Sequence, residues 1–83
     1  MIKMRIKEFG ENLVGISFGN GEVSFLTYRE NIKIIRERII KKESFSIRSL
    51  TGKDIVFIIN DNLRCYIVSD SHTGDTVSIY FDD

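Results

Sequence analysis

The amino-acid sequence predicts a single α+β domain over residues 1–83, in which a mainly antiparallel β-sheet, or a small partly open barrel, packs against one helix. Apolar and polar residues alternate with period two through most of the chain, as in strands with one buried face. Residues 28–42 change to helical spacing. Clusters of Gly, Asn and Asp separate the alternating runs, and such turns join antiparallel neighbours. The predicted order is β-β-β-α-β-β-β-β.

The first three strands are predicted from the alternation in residues 2–27. Turn residues at 9–12 separate the first strand from the second. Gly19-Asn20-Gly21 is the strongest hairpin signal in the chain, because Gly and Asn tolerate the positive φ that primed turns require. The side chains expected to face the core are Ile2, Met4, Ile6, Val14, Ile16, Phe18, Val23 and Phe25.

The helix is predicted to begin at a capping box. Thr27 and Glu30 are spaced so that each side chain can bond the backbone amide of the other. Lys41 and Lys42 then fall in the last turn, where cations interact favourably with the helix dipole. A strand is the alternative, because five isoleucines reduce the helix propensity of this segment and residues 31–34 alternate. The apolar stripe expected to face the sheet is Tyr28, Ile32, Ile35 and Ile39.

Four further strands are predicted after the helix, with turns at 51–54 and 60–62 and a polar loop at 69–75. Residues 55–59 are apolar on both faces, which is typical of a central strand covered from both sides. The helix then serves as the longer crossing between antiparallel groups of strands. In the other strands, the side chains expected to face inward are Phe45, Ile47, Leu63, Cys65, Ile67, Val77, Ile79 and Phe81.

Length and composition limit the classes of protein to which the chain can belong. A domain of 83 residues buries a small fraction of its surface, so we expect a further source of stability, such as dimerisation. Twelve basic and twelve acidic residues cancel, which excludes a global field that draws the protein onto nucleic acid or an anionic membrane. One cysteine, with no signal-like or membrane-spanning apolar run, predicts a cytoplasmic protein.

No catalytic, cofactor or metal site is predicted, and we expect a protein that is not an enzyme. Asp70, His72 and Asp75 are a mixed carboxylate and imidazole set of the kind that binds Zn or Mn. A polar turn is the favoured interpretation, because no second cluster of ligands supports the site. Cys65 lies in an apolar run with no second cysteine, which predicts a buried thiol and not a nucleophile.

The basic residues around the helix are the main functional signal. Six of the twelve lie between residues 29 and 42, and Ile34 projects away from the apolar stripe. An apolar side chain surrounded by cations is typical of a protein contact. Interleaved glutamates favour the alternative of an ordinary solvated helix face. The predicted interaction surface is Arg29, Lys33, Ile34, Arg36, Arg38, Lys41 and Lys42.

These features favour a small non-enzymatic binding or regulatory protein that forms a homodimer and acts on another protein. The chain has fourteen isoleucines and no Ala, Pro, Gln or Trp, which indicates an AT-rich genome. A phage or mobile-element inhibitor of a host system fits this size and composition.

Nucleic-acid binding is the alternative function. Three strands, a helix and further strands follow one another as in the OB-fold, and the chain resembles that fold in element order alone. The resemblance implies oligonucleotide binding. A basic row on the first strand can hold phosphates, and exposed tyrosines can stack bases. The surface predicted for this alternative is Lys3, Arg5, Lys7, Tyr66 and Tyr80.

Overall fold

A computed structural model describes residues 3–19, 23–50, 54–71 and 73–81. The strands are β1 (Met4–Glu8), β2 (Leu13–Phe18), β3 (Val23–Tyr28), β4 (Phe45–Arg48), β5 (Asp54–Asn60), β6 (Cys65–Asp70) and β7 (Thr76–Tyr80), and the helix is α1 (Asn31–Lys41). The α+β class and the order of the elements are therefore confirmed. The predicted strand residue Ile2 and the predicted turn residues Asn20, Gly21 and 51–53 lie outside the described residues.

The described strands form two antiparallel sheets, of three and four strands. The first sheet has the order β1-β2-β3 and the second β4-β5-β6-β7, so strands that follow one another in the chain are neighbours. α1 carries the chain from the first sheet to the second. The sheets meet at a corner, where the Thr27 hydroxyl donates to the Arg48 carbonyl at 2.8 Å. At the same corner the Leu50 amide donates to the Leu26 carbonyl at 3.4 Å.

An aromatic cluster fills the space between the two sheets. Phe57 stands at its centre and is fully buried, with its ring centre 5.6 Å from that of Phe18 and 6.2 Å from that of Phe25. Within the second sheet, Phe45 stacks on Phe57 at 4.4 Å, and Tyr66 meets it edge-on at 6.1 Å. The inner faces of both sheets therefore contact this cluster, and their outer faces point away from it.

α1 packs its isoleucine stripe against this core. Ile35 and Ile39 are buried and Ile32 is partly buried, as helical spacing of three and four residues requires. The basic C-terminal end of the helix is also confirmed, since Arg38 and Lys41 lie in its last turn. The next residue, 42, ends the helix in the left-handed conformation with a φ of 55°.

The predicted start of the helix is wrong, because tertiary contacts use the residue expected to cap it. α1 begins at Asn31, and Glu30 precedes it without a side-chain cap. Thr27 lies in β3 and is fully buried, and its hydroxyl donates to the Arg48 carbonyl and accepts a bond from the Asn31 side chain at 2.8 Å. Tyr28 ends β3 and is 43% exposed, so it is not part of the helix stripe.

The face of β6 that the sequence predicts to be buried is wrong. Leu63, which was expected to point inward, lies in the turn before β6 and is 56% exposed. The side chains that join the core cluster are Tyr66 and Val68, whereas Ile67 lies on the opposite face. The turn at 61–64 sets this register, and a one-residue change of register moves every side chain to the other face.

β5 is a central strand, as predicted, but its outer face is partly exposed. It pairs with β4 on one side and with β6 on the other. Ile55 and Phe57 point inward and are buried. Ile58 points to the opposite face and is 50% exposed, so the prediction that both faces are covered is wrong. An apolar strand in the middle of the second sheet thus presents one face to solvent.

Candidate binding surfaces

Tyr66 cannot stack on a base, because it is fully buried. Its hydroxyl lies 2.8 Å from the Glu43 carbonyl and 3.0 Å from the Arg38 carbonyl, so its single proton can be donated to either one at the end of α1. Burial, reinforced by the negative charge of Glu43, raises the pKa of Tyr66 to about 12. The prediction of Tyr66 as a nucleic-acid contact is therefore wrong, and the side chain instead joins the second sheet to the helix.

Arg29 is part of the fold and not of a free surface. It precedes α1, and its guanidinium donates to the Glu8 carboxylate and to the carbonyls of Gly10 and Glu11. These bonds fasten the loop between β1 and β2 to the end of β3. A side chain with three partners in the chain is poorly placed to bind a second protein.

Arg38 and Lys42 also have partners near the end of α1. Arg38 donates to the Glu43 carboxylate at 2.7 Å. The Nζ of Lys42 lies 4.9 Å from the centre of the Phe81 ring, within the range of a cation–π interaction. Arg29, Arg38 and Lys42, three of the seven predicted surface residues, therefore have contacts within the chain.

The other four predicted residues, together with Ile40, form what we call the outer helix surface: Lys33, Ile34, Arg36, Ile40 and Lys41. Ile34 is 43% exposed and Ile40 is 66% exposed. In the described part of the chain, no carboxylate forms an ion pair with any of the three cations. Ile40 was not among the predicted residues, although its position off the buried stripe was visible in the helical spacing.

A second candidate, which we call the Gly15 groove, lies on the outer face of the first sheet. Gly15 is its floor, because a Cβ there would lie 2.7 Å from Cε2 of Phe9 and 3.6 Å from Cδ2 of Leu26. Phe9 and Leu26 are its apolar walls and are 54% and 42% exposed. Arg5 and Lys7 stand beside it on β1, and its volume is about 510 Å³.

Sequence reasoning did not find the Gly15 groove. Phe9 was assigned to a turn, and Gly15 was passed over within a strand. A glycine between two apolar strand residues was the available signal, because it marks a place where another group approaches the backbone closely. The approaching group is a residue six positions away in the chain, and the β1–β2 hairpin brings it back over the strand.

The predicted nucleic-acid surface is divided between the two sheets. Arg5 and Lys7 lie on the outer face of the first sheet, and Lys3, which immediately precedes β1, has the same parity. Tyr80 is 60% exposed, and it lies on the outer face of the second sheet because the adjacent Ile79 is in the core. Tyr80 and the β1 cations therefore lie on different sheets and do not form one continuous face.

The outer face of the second sheet is the third candidate, and we call Ile58, Ile67 and Tyr80 the outer sheet surface. Ile58 pairs directly with Ile67, so the two side chains are cross-strand neighbours. Ile58 is 50% exposed and Tyr80 is 60% exposed. Among the strand residues that the structure describes on this face, charge occurs only at one end, where Arg48 pairs with Asp54.

Three surfaces of different chemistry therefore lie on different parts of the molecule. No family model, no curated protein and no solved structure matches this chain. Function is accordingly inferred from the chemistry of the surfaces themselves.

The loop before β7 has the contacts of a polar turn. The Gly74 amide donates to the Asp70 carbonyl at 2.7 Å, and the Asp75 amide donates to the Thr73 hydroxyl at 3.2 Å. His72, the imidazole of the alternative metal set, lies outside the described residues. Within 3–19, 23–50, 54–71 and 73–81, no three His, Cys, Asp or Glu side chains are gathered in a way that could hold a metal ion.

Cys65 is a free thiol and is fully buried, which confirms the prediction of burial. A thiol without solvent access does not meet an external substrate. No helix among the described residues has both the length and the apolar character needed to cross a membrane.

Proposed function

We propose that this chain is a small non-enzymatic binding protein that attaches through its outer helix surface to an acidic surface of another protein. The observation that carries the proposal is the pair Ile34 and Ile40, exposed on one helix among three cations that form no ion pair in the described part of the chain. Single exposed apolar side chains are common on soluble proteins. Two of them beside a net positive charge form a surface that an acidic apolar groove complements.

The helical geometry indicates the shape of the partner surface. At 100° per residue, Ile34 and Ile40 lie about 120° apart around α1, with Lys33, Glu37 and Lys41 on the ridge between them. Three cations, with Arg36 included, and one carboxylate leave a net charge of +2 on this side of the helix. A groove with two apolar walls and an acidic floor fits this arrangement. Burial of each isoleucine supplies affinity, up to ~1.5–3 kcal/mol for a fully exposed side chain, and the cations supply orientation and association rate.

A photo-crosslinking side chain tests this surface. Placed at position 40 and irradiated in a lysate of the natural host cell, it is expected to form adducts with one acidic protein. The same side chain at Ser46, which is exposed on the second sheet, is the matched control and is expected to give no adducts with that acidic protein. The additional change Ile34→Asp should reduce the adducts from position 40 by at least about tenfold, because it places a carboxylate against an acidic surface. Equal adducts from positions 40 and 46, or adducts insensitive to Ile34→Asp, would contradict the proposal.

We further propose that two copies associate through the outer sheet surface. Ile58, Ile67 and Tyr80 form an apolar face that is uncharged except at its Arg48–Asp54 end, and such a face is complementary to a second copy of itself. A small domain also gains more from a second buried surface than a large one does. Face-to-face packing of two sheets at ~10 Å is a common way to bury such surfaces.

Sedimentation velocity of the variant Ile58→Lys tests this association. We expect the wild-type protein to sediment as a dimer and Ile58→Lys as a monomer, because each interface would bury two unpaired ammonium groups. Ile40→Lys makes the same chemical change on the outer helix surface and is expected to leave the dimer intact. The proposal fails if the wild-type protein stays monomeric at every concentration, or if both variants shift the mass equally.

A further inference from the structure

The register of the first sheet gives the Gly15 groove a polar half. Arg5, Ser17 and Ser24 lie opposite one another across β1, β2 and β3, all on the outer face. One guanidinium and two hydroxyl groups therefore form a row across the three strands. Such a row presents several hydrogen-bond donors to a single carboxylate or phosphate.

The other half of the groove is apolar. In the next outward row, Lys7, Gly15 and Leu26 lie opposite one another, and the missing side chain of Gly15 leaves a depression in the row. Phe9 folds back over this floor from the end of β1. The Nζ of Lys7 lies 5.3 Å from the centre of the Phe9 ring, so its stem lies along the wall and its ammonium group remains near the groove.

The charge that the described strand residues place on this face has one sign. Lys3, Arg5 and Lys7 are its cations, and none of the described residues of β1, β2 and β3 places a carboxylate on the same face. Glu8 has the opposite parity and is bonded to Arg29. A ligand for this face is therefore anionic, and the planar guanidinium of Arg5 suits a carboxylate or a phosphate.

From this arrangement we propose that the Gly15 groove binds a small amphiphile with one anionic group. The anion is held by Arg5, Ser17 and Ser24, and the apolar body packs against the exposed sides of Phe9 and Leu26, which approach each other over Gly15. A volume of about 510 Å³ lies within the range of small-molecule sites, roughly 300–1,000 Å³. This site is separate from the outer helix surface, so it adds a ligand to the proposed protein partner and does not depend on it.

Fluorescence of anilinonaphthalene sulfonate, an anionic apolar probe, measures the binding directly. We expect saturable binding of one probe per chain, and at least about tenfold weaker binding of the neutral analogue phenylnaphthylamine, since a charge-assisted hydrogen bond is lost. Decanoate and decyl phosphate are then used as competitors. Displacement of the probe by decanoate alone identifies a carboxylate ligand. Displacement by decyl phosphate alone identifies a phosphate ester.

Matched variants locate the probe. Arg5→Gln is expected to weaken binding by about tenfold, whereas Arg48→Gln removes the same charge from the second sheet and should leave affinity unchanged. Ser24→Asp should abolish binding by repulsion, and Ser24→Asn should retain it. Gly15→Val should also abolish binding, because a Cβ at this position would lie 2.7 Å from Cε2 of Phe9 and would displace the ring that forms the apolar wall. Thermal unfolding of each variant shows that it is folded.

Three results would overturn the proposal. The first is equal affinity of Arg5→Gln and Arg48→Gln for the probe. The second is full binding by Ser24→Asp. The third is displacement by a single-stranded oligonucleotide, with a steep salt dependence, when neither decanoate nor decyl phosphate competes, because that pattern identifies a nucleic-acid surface.

Discussion

Replacement of Phe57 with Ala is expected to reduce the free energy of unfolding by about 3–5 kcal/mol, as for other buried aromatic residues truncated to Ala. Phe57 is fully buried and contacts rings from both sheets, including Phe18 at 5.6 Å and Phe45 at 4.4 Å. Its removal leaves a cavity that cannot close unless the two sheets move together. Globular domains are stable by roughly 0.05–0.15 kcal/mol per residue, so this change removes a large part of the stability of an 83-residue chain.

Urea denaturation followed by circular dichroism measures this effect. Phe9→Ala is the matched control, because it deletes the same atoms from a side chain that is 54% exposed. We expect its effect to be below about 1 kcal/mol. Equal shifts of the two denaturation midpoints, with unchanged slopes, would show that the core does not lie between the sheets as described.

Replacement of Tyr66 with Phe is expected to reduce the free energy of unfolding by about 1–3 kcal/mol at neutral pH. The ring stays in the aromatic cluster, but the carbonyls of Arg38 and Glu43 lose their hydroxyl donor. The Arg38 carbonyl also accepts a bond from the Glu43 amide at 3.0 Å, whereas the Glu43 carbonyl lies beyond the end of α1, so the Glu43 carbonyl is the acceptor most affected by the loss. Tyr80→Phe removes a hydroxyl from a residue that is 60% exposed and should have almost no effect.

The contribution of Tyr66 should also disappear at alkaline pH. The pKa of Tyr66 is raised from 10.0 to about 12 by burial and by the charge of Glu43, so the folded state holds the proton more tightly than the unfolded state. The unfolded state therefore loses its proton first, and stability falls as pH rises from 10 towards 12. The stabilisation is fully present below pH 10.

The difference in unfolding free energy between wild type and Tyr66→Phe isolates this titration from that of the other tyrosines and lysines. We expect the difference to be constant from neutral pH to about pH 9 and to shrink between pH 10 and pH 12. Urea denaturation at each pH gives the measurement. A difference that stays constant through this range would mean that the Tyr66 hydroxyl is not shielded from solvent in the folded state.

The α+β class, the order of eight elements and much of the core could be predicted from the sequence. Ile16 and Ile35 are examples, since period two on β2 and helical spacing on α1 place them inward, and both are buried. Such local patterns succeed because an element that buries one face must repeat its apolar residues with its own geometric period. The exposure of Ile34 followed from the same spacing.

The candidate sites could be predicted only in part, because contacts between distant residues decide which side chains remain free. Arg29 was expected on a binding surface, but it bonds Glu8 on β1. Tyr66 was expected in solvent, and its hydroxyl instead bonds the end of α1. Both partners lie at least twenty residues away in the chain, so no local pattern reveals them.

By itself, the sequence determined the class of the domain, the succession of its strands and helix, and the buried stripe of α1. Tertiary structure alone decided that the strands divide into two sheets, that β6 turns Tyr66 inward, and that Phe9 folds over Gly15 to form a groove beside Arg5. The physical reason is the range of the interactions. Periodicity records the burial of one face within one element, whereas pairing register, ion pairs and grooves depend on which elements meet after the chain has folded.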